Sequence, residues 1–129
     1  MSNCSNDEKK INTLDIHARE KHIPDLDRIK TARKGLPGFN IIDLMAQFFG
    51  LLSDPTRLKI VFVLKNGELC VHEIANAIGL SISAVSHQLK LLKTAKMVKN
   101  RRHGKMVFYS LDDEHIEQLL SVADAHVKE

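Results

Sequence analysis

Two short amphipathic segments separated by a brief turn that opens on a glycine constrain the fold of this chain more than any other feature. Val71 to Ile78 carries Ile74, Ala75 and Ile78 at helical spacing, Gly79 permits a sharp turn, and Ser81 is placed to cap a second segment with the apolar stripe Ile82, Val85, Leu89 and Leu92. The opposite side of that second helix presents Ser83, His87, Lys90 and Thr94, with Leu91 as an unexplained apolar exception. A short helix, a glycine turn and a helix with a small-polar and basic outer face make a helix-turn-helix. Two strand-like runs follow, Val98 to Arg101 and Lys105 to Leu111, around His103-Gly104, and read as a hairpin with a basic tip. The expected class is therefore mainly α with a small β-hairpin, a winged helix-turn-helix.

Upstream, Asp54-Pro55 is a helix start, because proline at the first helical position gives up no needed hydrogen bond. Leu58, Val61, Phe62 and Leu64 supply its buried face until Asn66 and Gly67 end it. Before it, Asn40 is placed to cap a helix of Ile41, Leu44, Met45, Phe48, Phe49 and Leu52. Apolar around most of its circumference, this helix is expected to be shared between the core and a dimer interface. The spacing of Ile23, Leu26 and Ile29 permits a short helix after Pro24, and residues 1–10 read as a disordered tail. The organisation expected is an N-terminal arm over 1–39, partly disordered, a winged helix-turn-helix over 40–111, and a separate terminal helix over 112–129.

With 129 residues the chain has room for one domain with a modest core, a size at which dimerisation adds useful burial. The apolar stretch Ile41 to Leu52 is too short for a bilayer and no signal peptide opens the chain, so a soluble, cytoplasmic protein without a membrane partner is expected. Two cysteines, Cys4 and Cys70, make no disulfide framework and are read as free thiols or ligands.

The net charge of +3 conceals a sharp segregation. Between Ile74 and Leu111 there is no Asp or Glu, but there are Lys90, Lys93, Lys96, Lys99, Arg101, Arg102 and Lys105. From Asp112 onward the sign reverses, with six acids against Lys128 alone. A basic stretch on folded elements points to a polyanion, and an acidic terminal helix suits cations. A solvated lysine-rich surface is the competing reading of the basic run.

The terminal helix places Asp113 and His115 at its start and His126 and Glu129 at its end. Eleven residues at about 100° each return both histidines to nearly one face, but about 1.5 Å of rise per residue separates them by about 16 Å. Metal bonds are about 2 Å long, so one chain cannot close a site from these four groups. An antiparallel second copy brings the start of one helix beside the end of the other, forming two identical sites of two imidazoles and two carboxylates, a set that suits four-coordinate Zn²⁺. Acids in a first helical turn also favour the helix dipole with no metal present, and that reading stands beside the first.

From about Met45 to Glu129 the sequence resembles the ArsR/SmtB family of metal-responsive bacterial repressors. The resemblance is carried by LSDPTRLKIVFVL, ELCVHEIANAIGLSISAVSHQLKLLK, the wing VKNRRHGKMVFYSL and the tail DDEHIEQLLSVADAHVKE; residues 1–39 show no useful match. It implies a homodimer built from the first core helix and the last helix, with zinc ligands matching Asp113, His115, His126 and Glu129. Oxygen and nitrogen donors without thiolate favour Zn²⁺, with Co²⁺ as a mimic. A second family site uses thiolates at the ELCVC position, which here reads Cys70-Val71-His72, with Cys4, His17 or His22 available to complete it; the alternative is that Cys70 is a buried hydrophobe and His72 a surface residue.

The implied activity is repression by a dimer that binds an operator inverted repeat when metal-free and is released by Zn²⁺. Base-edge contacts are expected from Ser83, Ser86, His87 or Gln88, and phosphate contacts from Lys90, Lys93, Arg101, Arg102 and Lys105. Release by a thiophilic metal such as Cd²⁺ or Pb²⁺, a non-metal signal, and simple metal buffering are the alternatives. An enzyme is not expected, since the sequence carries no Gly-rich phosphate loop or nucleophile motif, and four protein ligands leave no open position on a metal.

Overall fold

A computed structural model describes residues 23–129 and divides the chain into two units, Met1–Phe39 and Asn40–Glu129. The expected disordered tail lies outside the described residues. In the first unit, helix α1 (Leu26–Lys34) is capped by Asp25, whose carboxylate accepts from the amides of Asp27 at 2.9 Å and Arg28 at 3.2 Å.

The second unit is built from helices α2 (Phe39–Leu52, its first residue belonging to the arm), α3 (Pro55–Val63), α4 (Val71–Ile78), α5 (Ile82–Thr94) and α6 (Glu114–Val127), with strands β1 (Leu69–Cys70), β2 (Val98–His103) and β3 (Met106–Leu111). The expected caps form. Asp54 accepts from the Arg57 amide at 3.0 Å and Ser81 from the Ala84 amide at 3.1 Å, and Gly79 closes α4 in the left-handed region at φ 73°. Asn40, expected as a cap, instead lies within α2, which starts one residue earlier at Phe39.

The core is formed where α3, α4 and α5 meet the sheet. Ile60, Val61, Ile74, Val85, Leu89, Leu92, Met97 and Val98 are all but inaccessible, and Ile116 and Leu120 bring α6 into the same cluster. Two expectations about burial are corrected. Ile82 is exposed, so the inward stripe of α5 is the narrower set Val85, Leu89 and Leu92. Leu58 and Phe62 are only half-buried, while Ile60 is buried completely, because α3 offers one flank to the core and the other to an open groove.

The wing is a three-stranded antiparallel sheet in the order β1-β3-β2, wider than the hairpin expected. Its outer strand is the pair Leu69 and Cys70, registered against Tyr109 and Phe108, and two residues are too few to leave a period in the sequence. The hairpin pairs Val98 with Leu111 through His103 with Met106, leaving Gly104-Lys105 as a two-residue turn with Gly104 at φ 63°. Lys105 is thus a turn residue and not the start of a strand.

Helix α5 ends in a Schellman turn. The Met97 amide donates to the Leu92 carbonyl and the Lys96 amide to that of Lys93, each at 2.9 Å, with Lys96 at φ 61°. A lysine occupies a conformation that favours glycine, and the buried Met97 beyond it holds the chain to the core, fixing where β2 leaves the helix.

Helix α2, expected to be shared between the core and a dimer interface, leaves much of its apolar surface open in a single chain. Within one chain it is buried only at Leu52, while Ile41, Ile42, Leu44, Met45 and Phe49 are each about half exposed. Among the described residues no single helix is long and apolar enough to cross a membrane.

Candidate nucleic-acid interface and metal centre

The core stripe of α5 fixes what its other side displays. With Val85, Leu89 and Leu92 inward, Ser83, Ser86, His87, Lys90 and Lys93 are exposed. Gln88 differs from them. It is half-buried on the flank of the helix, and its Oε1 accepts from Arg57 Nη1 at 3.1 Å, while Arg57 Nε donates to the Leu51 carbonyl at 2.7 Å. Nothing in the sequence signals this contact, which joins residues 31 positions apart.

The wing cations are not equivalent. Arg101 donates from Nε and Nη2 to the two carboxylate oxygens of Glu68, both at 2.8 Å, and its guanidinium carbon lies 5.3 Å from the centre of the Phe108 ring. The hydrogen bond from Arg101 holds the Glu68 carboxyl below the usual carboxylate range. Arg102 and Lys105 are exposed at the tip of the hairpin.

The carboxylate of Asp113 does local work at the start of α6. Oδ1 accepts from the His115 amide at 2.9 Å and the Ile116 amide at 3.2 Å, and Oδ2 lies 3.5 Å from His115 Nδ1. Partial desolvation pushes this carboxyl up, but the hydrogen bonds from the Ile116 amide, the His115 ring and the His115 amide together outweigh it and leave it below its ordinary value. At the other end His126 occupies the last turn of α6, and Glu129 lies just beyond, its amide donating to the His126 carbonyl at 3.3 Å. Glu129, expected at the end of the helix, therefore follows it. All four side chains are exposed, and among the described residues no three His, Cys, Asp or Glu side chains converge within one chain.

Of the second ligand set, the structure describes Cys70 and His72. Cys70 is a free thiol, 5% exposed, and its amide donates to Glu73 Oε1 at 2.9 Å. His72 is exposed on α4, and Cys4, His17 and His22 lie outside the described residues.

Between α2, α3 and α6 runs an open apolar groove of about 390 Å³, lined by Phe49, Leu52, Leu58, Phe62, Leu119 and Val127 among others. Its lining is continuous with the uncovered face of α2.

Residues 54–100 match the family model described as bacterial regulatory protein, arsR family. The chain is 47% identical over 104 residues to a cadmium resistance transcriptional regulatory protein CadC homolog from Staphylococcus aureus, covering 80% of this chain and 85% of that one. It is 38% identical over 104 residues to a transcriptional repressor SmtB homolog from Synechocystis sp., covering 81% and 79%. Among solved structures it is similar to the homodimeric winged helix-turn-helix DNA-binding domain Mb0332, fragment 1–100, from Mycobacterium bovis, with TM-score 0.67 and 28% identity over 74% of this chain and 90% of that one. Fold, matched segment and relatives agree, and the chain belongs to the arsR family of bacterial regulatory proteins, as a transcriptional regulator and not an enzyme.

Proposed function

We propose that this protein is a metal-sensing repressor that binds an operator inverted repeat as a homodimer when metal-free and is released by Zn²⁺. The observation that carries the reading is the state of α6 in a single chain. Its two ends each hold half of a ligand set, about 16 Å apart by helical rise, and the helix borders an apolar groove that is open among the described residues. A second copy packed on α2 and α6 removes both deficiencies at once.

The donors present fit zinc. Asp113 accepts both amides through Oδ1, and its Oδ2 lies 3.5 Å from His115 Nδ1, so a carboxylate oxygen and an imidazole nitrogen stand side by side at this end of α6, and the exposed His126 imidazole and Glu129 carboxylate complete a set without thiolate. When bound, the metal supplies a rigid link between Asp113 and His115 of one chain and His126 and Glu129 of the partner subunit. Tying the two terminal helices together stabilises one arrangement of the dimer, and release follows where that arrangement holds the two α5 helices out of step with successive major grooves. The name of the Staphylococcus relative favours a cadmium response instead, but Cys70 is buried, and the residue two positions on is the imidazole of His72 and not a second thiolate for a soft metal.

The test is operator binding by fluorescence anisotropy at fixed salt, with Zn²⁺ or Cd²⁺ titrated into the wild type and His126→Ala. Zinc is expected to release the wild type and leave the variant bound. Release of both by zinc places the sensor elsewhere, and release by cadmium alone defeats the zinc assignment.

The same assay separates the wing cations. Arg102→Ala should weaken binding to every sequence and reduce the salt slope by about one. Arg101→Ala should change the slope less, because a phosphate must first displace the Glu68 carboxylate. Equal slopes for the two variants would refute the distinction.

A further inference from the structure

The contact made by Arg57 spans the two parts of the molecule that a dimeric DNA reader must keep in register. Leu51 lies in the last turn of α2, where carbonyls lack helical partners, and its oxygen accepts from Arg57 Nε at 2.7 Å. The other side of the guanidinium donates to Gln88 Oε1 on α5 at 3.1 Å. Arginine offers only donors, so the Gln88 amide is held with its oxygen inward and its NH₂ turned away. Arg57 is itself fixed, since its amide is the one capped by Asp54. Both side chains are half-buried, which shields the bond from competing water.

We propose that Arg57 is a positioning residue for DNA recognition. Its bridge from the Leu51 carbonyl to Gln88 sets the angle of the recognition helix against α2, and so sets the half-site spacing that the dimer accepts. Gln88 then acts as the anchor for that bridge rather than as a base reader. The inference rests on the reading of the chain as an operator-binding dimer in which α2 lies at the interface.

The test uses the full chain and an inverted-repeat duplex selected from random DNA by the wild type, alongside the same duplex lengthened by one base pair between half-sites. Arg57→Met and Gln88→Met are each compared with wild type for affinity to both duplexes, with sedimentation to confirm dimers and thermal melting to confirm folding. Loss of one charge-assisted hydrogen bond predicts that discrimination between the two spacings falls by about tenfold in either variant. The double variant should lose no more than either single one. Arg57→Met also abandons the Leu51 carbonyl and is the one at risk of unfolding; Gln88→Met removes only the outer arm and keeps the test decisive.

Spacing discrimination that survives in Gln88→Met overturns the proposal. So does a change in preference at one base pair with spacing intact, which would make Gln88 a base reader. A wild type that selects no inverted repeat, or binds as a monomer, defeats the underlying functional reading, and that failure is visible before any variant is made.

Discussion

Phe49→Asp is expected to convert the dimer to a monomer and to lower operator affinity at least a hundredfold. Phe49 is 48% exposed in a single chain, packs edge-on against Phe48 at 5.4 Å, and stands at the junction of the bare α2 face with the groove beside α6. A carboxylate there leaves the chain's own core nearly untouched, but in the dimer it would be buried opposite apolar side chains without a partner. Two half-sites bound by one dimer gain an effective-concentration advantage of about 10² to 10⁴ over separate monomers, and that advantage is what the variant loses. Sedimentation velocity, far-ultraviolet circular dichroism and anisotropy on one preparation check the three parts. A folded variant that remains dimeric would place the interface elsewhere.

How far the sequence discloses this molecule depends on the distance over which each feature is encoded. The starts of α3 and α5 are legible because their caps are local, Asp54-Pro55 and Ser81, and so is the end of α4 at Gly79. Strand β1 is not legible, because two residues carry no period and the Glu73 carboxylate that holds the Cys70 amide is needed to see where the chain turns. The burial of α2 is legible only in part. Apolar composition reports that a surface will be covered, and it does not say whether by the same chain or by another.

The site divides in the same way. The ends of α6 are legible because helical rise and rotation fix the distance and direction between His115 and His126 without tertiary information. The dual use of Asp113, with one oxygen on the cap and the other beside His115 Nδ1, needs coordinates. The contacts that distinguish Arg101 from Arg102, and Gln88 from its neighbours on α5, join residues more than 30 positions apart, and no pattern along the chain reports them.

The second large effect follows if the ligands are shared between chains as proposed. A chain carrying Asp113→Ala and His115→Ala retains His126 and Glu129, and a chain carrying His126→Ala and Glu129→Ala retains the complementary half. Homodimers of either variant contain no complete site, whereas a heterodimer contains one site with all four ligands and one with none. None of the four substitutions touches the core, since all four side chains are exposed. Asp113→Ala does remove a helix cap, at a cost of about 1 kcal/mol. The most direct measurement is bound zinc per dimer for the two homodimers and for the heterodimer isolated through two different affinity tags. The shared-site account predicts no tight zinc on either homodimer and one on the heterodimer. A heterodimer as empty as its parents, or a homodimer that keeps its zinc, would contradict it.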